Sequence, residues 1–264
     1  MPEIAMKESE CFSFDEKGKQ HDDEKSILSS KIHEMQLKVD TIPCVSVENM
    51  RLSDTYTIAN YVPSLELMHR AALGVFKAVS WWGQIAVVVG SGNNGGDGFA
   101  LACILKEAGF DCTVFTLSNK LSPDSAYYAE KAELMHVPVL PFVKGRLRDH
   151  AVVVDCLLGT GFQGTPRDNY RAAIEEINAS GAYVVSVDIN SGMNGDTAEA
   201  EISVVSDLTV TIGFVKKGLV LPGAGNYMKR LVCADIGIVL LNQEDTITES
   251  SCPPWLDMEV IRTY

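Results

Sequence analysis

Short, wholly apolar runs alternate with helix-like segments through the middle of this chain, and that alternation leaves few folds open to it. Residues 85–89 read Ile-Ala-Val-Val-Val, with no polar position to face water. Such a run is the pattern of a parallel strand covered on both faces. Runs of the same kind recur at 112–117, 151–154, 183–187, 208–212 and 231–233. Ahead of the first, Leu65, Met68, Ala72, Val75, Phe76 and Val79 repeat at helical spacing behind Pro63-Ser64. The serine hydroxyl is expected to cap that helix by accepting from its free amides. Residues 97–109, 123–134 and 168–179 read as further helices. Strand, helix, strand at this rhythm requires right-handed crossovers. The expected architecture is therefore α/β, a doubly wound, mostly parallel sheet with helices on both faces in a single domain.

A chain of 264 residues is enough for one such domain with tails and short for two independent cores. We expect an acidic mobile tail over 1–42, the folded domain over 43–241 and a C-terminal tail over 242–264. The first 40 residues hold ten acids, six lysines and few strong apolar side chains, too little apolar surface to offset chain ordering. Neither a mitochondrial presequence nor a secretory leader has that composition. The last segment is polar up to Pro253-Pro254-Trp255-Leu256, which can fold back onto the domain. Acids outnumber bases 35 to 22, for a net charge of −13, which argues against nucleic acid or an anionic membrane surface as partner. No apolar stretch approaches the roughly 20 residues of a membrane span. The seven cysteines include no CxxC and the five histidines no HxxxH. That argues against a disulfide framework or a zinc site and fits a reducing, cytoplasmic setting.

In sheets of this kind chemistry collects where loops leave the carboxyl ends of the strands. The first strand runs into Gly90-Ser91-Gly92-Asn93-Asn94-Gly95-Gly96-Asp97-Gly98, five glycines in nine residues directly before a helix. Such glycines let the backbone take positive φ and approach a ligand, and the helix start offers free amides to an anion. Asp97 as a helix cap, with Asn93 and Asn94 satisfying turn amides, is the competing reading. Gly90, Gly92 and Gly95 also fit GxGxxG, but the next strand ends Phe115-Thr116-Leu117-Ser118-Asn119-Lys120 without the acid that holds ribose hydroxyls in dinucleotide dehydrogenases. Hydride transfer is disfavoured, and no GxxxxGK[ST] loop is present. Two later strands end in carboxylates, Asp155 before a second glycine loop (Gly159, Gly161, Gly164) and Asp188 before Ile189-Asn190-Ser191-Gly192. Both aspartates are expected to open into one pocket beside the two glycine loops. Asn94, Asp155 and the Ser191 hydroxyl are hard oxygen donors that can meet around a cation, and a single carboxylate suits a monovalent ion better than calcium or magnesium. Lys216-Lys217 reads as solvated surface, with phosphate binding the alternative. His69-Arg70 reads as a polar helix face, and His136 and His150 carry no metal spacing.

The stretches GSGNNGGDGFALA, VVDCLLGTGFQG, SVDINSG and DLTVTIGFVKKG, in that order, resemble the NAD(P)H-hydrate epimerase family, the YjeF N-terminal domain, over about 45–238. The resemblance implies a Rossmann-like, commonly homodimeric isomerase that interconverts the R and S forms of hydrated NADH and NADPH, a metabolite repair in which a separate dehydratase completes the recovery. It implies that the hydrate lies against Asn93, Asn94, Gly95, Gly96 and Asp97, against Gly159, Thr160, Gly161, Phe162, Gln163, Gly164 and Thr165, and against Asp188. It implies potassium (K+) on Asn94, Asp155 and Ser191. Asp188 is the expected proton-transfer group, because it ends a buried strand beside both loops. Three positions depart from the family pattern. Asn190 stands where proline is usual, and Ala72 and Ala198 stand where glycine is common, each expected to add a methyl near substrate or a second subunit. The other function class is a non-catalytic nucleotide-binding or scaffold protein of the same fold.

Overall fold

The computed structural model describes residues 42–247 and 252–264. Most of the expected acidic tail therefore lies outside the described residues, and Ile42 already belongs to the first strand. The chain opens with β1 (Ile42–Val45), α1 (Val47–Asn60) and α2 (Ser64–Ala78). Then come β2 (Ile85–Val89), α3 (Asn93–Glu107), β3 (Cys112–Thr116), α4 (Pro123–Leu134) and β4 (Val139–Pro141). The second half runs β5 (Val152–Cys156), α5 (Asp168–Asn178), β6 (Tyr183–Val187), β7 (Leu208–Ile212) and β8 (Val215–Lys216). It closes with β9 (Arg230–Asp235), β10 (Asp245–Ile247) and β11 (Asp257–Arg262).

Eight strands form one sheet in the order β11-β9-β7-β6-β5-β2-β3-β4, and every neighbouring pair is parallel. The apolar runs explain why. Ile85, Val87 and Val89 pack with α2, α3 and α4 on one face. Ala86 and Val88 pack with Ala173, Ile174 and Ile177 of α5 on the other. Both faces are covered, so neither needs polar alternation. α3 is buried on nearly all sides, from Phe99 through Leu105, and its sequence accordingly shows no polar stripe.

From β2 the chain moves outward to β3 and β4, returns to place β5 on the other side of β2, then moves outward again through β6, β7, β9 and β11. The order reverses between β2 and β5, and that is where an open α/β sheet leaves a crevice. A second sheet, β10-β1-β8, is short. Gly213, at φ +75, turns the chain from β7 into β8, a conformation that glycine adopts without strain.

The sheet does not end at residue 241. β11 pairs in register with β9 from Asp257↔Arg230 to Arg262↔Asp235. Asp257 and Glu259 alternate with Met258 and Val260, and Arg262 closes the strand, the half-polar pattern of an edge strand, so no unbroken apolar run marked it. Among the described residues no helix is long and apolar enough to cross a membrane.

Candidate functional site

The loops that leave β2 and β5 border a cavity of about 560 Å³ at the switch point, within the usual size range of ligand sites. Asn93, Asn94 and Asp97 of α3 form one wall, Leu158, Gly159, Thr160 and Phe162 the opposing one, and Asp188 reaches in from the tip of β6. Arg51 and Asp54 come from α1, Met68 from α2 and Asp124 from α4. α4 is held there because Ser125 Oγ donates to the Gly92 carbonyl at 2.9 Å and the Ser122 N–H to the Ser91 carbonyl at 3.3 Å.

Asp188 is the most constrained side chain of the cavity. Its backbone sits at φ +72, a left-handed conformation that costs a non-glycine residue about 1–3 kcal/mol and persists only where neighbours enforce it. The Asp188 N–H donates to the Val210 carbonyl at 2.8 Å, fixing the turn. Oδ2 accepts from the Thr160 N–H at 3.0 Å, and Oδ1 accepts from Lys216 Nζ at 2.5 Å. Lys216 Nζ also donates to Thr211 Oγ1 at 3.0 Å and to the Ile212 carbonyl at 2.7 Å, so all three of its protons are used. Lys216 is fully buried, because β8 lies beside β1 with Lys216 opposite Val45. The expectation of a solvated lysine here is overturned. A double-lysine loop reads as surface until the strand that covers it is known.

Asp155 stands beside Asp188 at the next strand tip but does not open into the cavity, correcting the expectation that the two share it. It is wholly buried, and its oxygens are saturated. Oδ1 accepts from Ser191 Oγ at 2.5 Å and the Leu157 N–H at 3.2 Å, while Oδ2 accepts from the Ser191 N–H at 3.0 Å and Ser186 Oγ at 2.9 Å. Burial pushes the Asp155 carboxyl above its ordinary range, and these donors work against that rise. Asp155 thus braces the β5 and β6 loops from beneath. Next to this brace Asn94 Nδ2 donates to the Val187 carbonyl at 3.2 Å, while Asn94 Oδ1 is buried without a partner among the described residues. An orphaned buried amide oxygen is costly and a bound cation would satisfy it, the chemistry of Asn94, Asp155 and Ser191 being all-oxygen with one carboxylate. The residues present fit a monovalent cation.

The glycines of the first loop work differently from the expectation. α3 begins at Asn93, with Gly92 as its N-cap, so Gly95, Gly96 and Gly98 lie inside the helix and none has positive φ. Their role is close approach. A Cβ on Gly95 would stand 2.3 Å from the Gly90 carbonyl oxygen, and one on Gly90 2.0 Å from that of Leu157. Bare backbone lets α3 seat directly on the β2 and β5 tips and brings Asn94 and Asp97 into the crevice. Asp97 caps nothing. Ser64 does not cap α2 either: Pro63 holds that position without a side-chain bond, and Ser64 faces the cavity.

Three more carboxyls share the cavity with Asp188: Asp54, Asp97 and Asp124. Burial, then the charges of Asp188 and Asp54, push the Asp97 pKa well above the carboxylate range, with Lys216 opposing and Asp124 adding to the rise. Asp54 is raised by burial and by Asp188 in the same way.

Residues 64–218 match the family described as YjeF-related protein N-terminus, more than half of the chain. The chain belongs to that family. It is 35% identical over 203 residues to a protein of Limosilactobacillus fermentum named NAD(P)H-hydrate epimerase, a match that covers 74% of this chain and 97% of that one. A protein of the same name from Rhodopirellula baltica is 32% identical over 78% of this chain and 89% of its own length. The bifunctional NAD(P)H-hydrate repair enzyme Nnr of Coxiella burnetii is 35% identical over 72% of this chain, which spans 40% of that protein. The crystal structure of yeast ynu0, YNL200c, shares the fold, with a TM-score of 0.62 at 20% identity over 78% of this chain and 99% of that one.

Of the positions that the YjeF-related N-terminal resemblance assigned to substrate, Asn93, Asn94, Asp97, Gly159, Thr160, Gly161, Phe162 and Asp188 line the cavity. Gly95, Gly96, Gln163, Gly164 and Thr165 do not. Ala72, on α2, is buried in the core and does not line the cavity. Ala198 occupies φ +60 in a buried turn, which accounts for the glycine common in the family. Asn190, in place of proline, fixes its loop by bonds instead of a ring: the two protons of Nδ2 are shared among the Val204 and Tyr227 carbonyls and Ser206 Oγ, and Oδ1 accepts from Thr209 Oγ1 at 2.7 Å. Asp54 and Asp124 escaped the sequence reading, and Lys216 entered it only as a solvated or phosphate-binding lysine. Asp54 lies on α1, whose apolar positions carry no helical stripe, and Asp124 reads as an ordinary first-turn acid of α4.

Proposed function

We propose that this chain is an isomerase that interconverts the R and S hydrates of NADH and NADPH. The observation that carries this reading is the Asp188–Lys216 pair at the floor of a switch-point cavity, in a chain whose relatives are named NAD(P)H-hydrate epimerase. The hydrated ring bears a hydroxyl on the carbon next to its nitrogen. The nitrogen lone pair expels that hydroxyl as it is protonated, leaving a planar iminium, and water returning to the other face inverts the centre. The intermediate is cationic, and a cavity lined by Asp54, Asp97, Asp124 and Asp188 favours developing positive charge where water is scarce. Asp188 serves as a proton-transfer group: Lys216 and the Thr160 N–H fix the carboxylate, with lone pairs left toward the cavity. The free backbone amides at the start of α3 suit the pyrophosphate.

Potassium belongs to the same reading. Asn94, Asp155 and Ser191 would hold it, and its charge would offset the buried Asp155 carboxylate and steady the loop that carries Thr160. A homodimer and a separate dehydratase acting on the S hydrate complete the assignment, and the longer bifunctional relatives support the second.

Purified protein mixed with scrambled NADH hydrate and an S-specific dehydratase tests the function. Complete return to NADH is the expected result. Return of only the S half, with hydrate bound and unchanged, would instead make the chain a binding protein. Light scattering during gel filtration reports the assembly.

A further inference from the structure

Inversion through an iminium needs two proton-handling groups, a donor for the departing hydroxyl and an acceptor for the water that adds from the other face. Asp188 is constructed as an acceptor, with both oxygens already taking hydrogen bonds from Lys216 and Thr160. The other ionisable residues of the cavity are Arg51, Asp54, Asp97 and Asp124. Arg51 is paired with Glu48 and does not give up a proton. Asp97 stands apart by its place and not by a missing partner, since Asp54 and Asp124 also lack a hydrogen-bond or ion-pair partner among the described residues. It stands on α3 one turn beyond Asn94, keeps part of its surface open to the cavity, and its carboxyl has no hydrogen-bond or ion-pair partner among the described residues.

Resting on the epimerase reading, we propose that Asp97 is the second catalytic carboxyl of this site, the acid that protonates the departing hydroxyl. Its proton passes to the hydroxyl oxygen, and the carbon–oxygen bond breaks with its electrons on that oxygen. Water leaves, and the ring-nitrogen lone pair forms the carbon–nitrogen double bond. Water then bonds to the opposite face, the π pair returns to nitrogen, and one proton of that water goes to Asp188. The site ends with Asp97 ionised and Asp188 protonated, the state from which the reverse inversion proceeds with the roles exchanged.

The surroundings of Asp97 hold its proton in the right place. Burial and the carboxylates of Asp188 on β6, Asp54 on α1 and Asp124 on α4 all raise its pKa, and Lys216 on β8 alone lowers it. Tyr128 on α4, with its phenol pushed up to about 12, and Cys156 on β5, with its thiol pushed well up, stay neutral beside it. Asp97 thus stays protonated at pH values where an ordinary carboxyl is ionised, and a proton donor must be protonated to act.

The test uses the full chain, with NADH-hydrate epimers separated and timed across pH and circular dichroism reporting the fold. We expect wild-type kcat to fall as pH rises through the raised Asp97 pKa. Asp97→Asn should lower kcat roughly 10²–10⁴-fold, with KM little changed and the alkaline fall abolished. Formate should partly restore Asp97→Ala, and Asp97→Glu should keep the alkaline fall at reduced kcat. An Asp97→Asn enzyme within about tenfold of wild type, a loss confined to KM, or an alkaline fall removed by Asp54→Asn instead would overturn the proposal and leave the epimerase reading standing. A folded Asp97→Glu without the alkaline fall would overturn it too. Wild-type protein that leaves the epimers unchanged would end both.

Discussion

Removing the Lys216 ammonium would leave the Asp188 carboxylate without its cation and the Ile212 carbonyl without a donor. Breaking a buried pair from one side typically costs about 3–5 kcal/mol. Lys216→Met should therefore lower unfolding free energy by about 3 kcal/mol in urea titration, and Asp188→Asn added to it should recover part of that loss. A Lys216→Met protein as stable as wild type would show the pair to be energetically idle. Asp97 presents the opposite case. Its pKa is raised on folding, so folding favours its protonated form. That contribution is complete below the unfolded carboxyl value near 4 and is lost as pH rises through the folded value. Asp97→Asn should accordingly raise Tm at pH 7–8 and leave it little changed near pH 4. Equal Tm shifts at both pH values would contradict the buried-carboxyl account. Asn190 carries four polar contacts at a fully buried position. Asn190→Ala strands its partners, each at about 1–3 kcal/mol, and should drop Tm further than any exposed Asn→Ala change.

At the scale of elements, α3 decides the geometry of the site. It is an apolar helix whose first turns are bare enough to lie on the strand tips, and Gly95→Ala places a methyl 2.3 Å from the rigid Gly90 carbonyl. Overpacking of this kind costs about 1–3 kcal/mol, and here the only relief is for α3 to lift away from β2. Both stability and epimerisation should fall together. Gly92→Ala meets nothing within 4 Å and should leave the fold intact. Glu244 links β1 to the loop before β10. Its carboxylate accepts from the Ser46 N–H at 3.1 Å and the Ser46 hydroxyl at 2.8 Å and pairs with Lys217 at 2.8 Å. Both bonds hold the N-cap of α1, the helix that carries Asp54 to the cavity rim.

For the molecule as a whole, the orphaned buried Asn94 oxygen predicts a cation effect on stability. An ion bound to the native state alone raises Tm with its concentration. Thermal unfolding in potassium chloride should exceed that in choline chloride at equal ionic strength, and Asn94→Ala should abolish the difference. Equal Tm in both salts for the wild-type chain would remove potassium from the account.

The parallel sheet, its helix-covered faces and the crevice region were legible in the sequence because each depends on local pattern. A five-residue apolar run such as Ile85–Val89 has no stable place except between two covered faces. The tips of such runs mark where loops and chemistry gather. Which way a side chain turns at those tips was not legible, since that is set by partners distant along the chain. Asp155 is taken by Ser191, 36 residues on, and Asp188 by Lys216, 28 residues on. β11 and the two-residue β8 are likewise strands only because β9 and β1 lie beside them. Local periodicity determined the layers. The charge state and direction of the carboxyls inside the crevice came from long-range packing, because burial and hydrogen-bond partners exist only once the chain has folded.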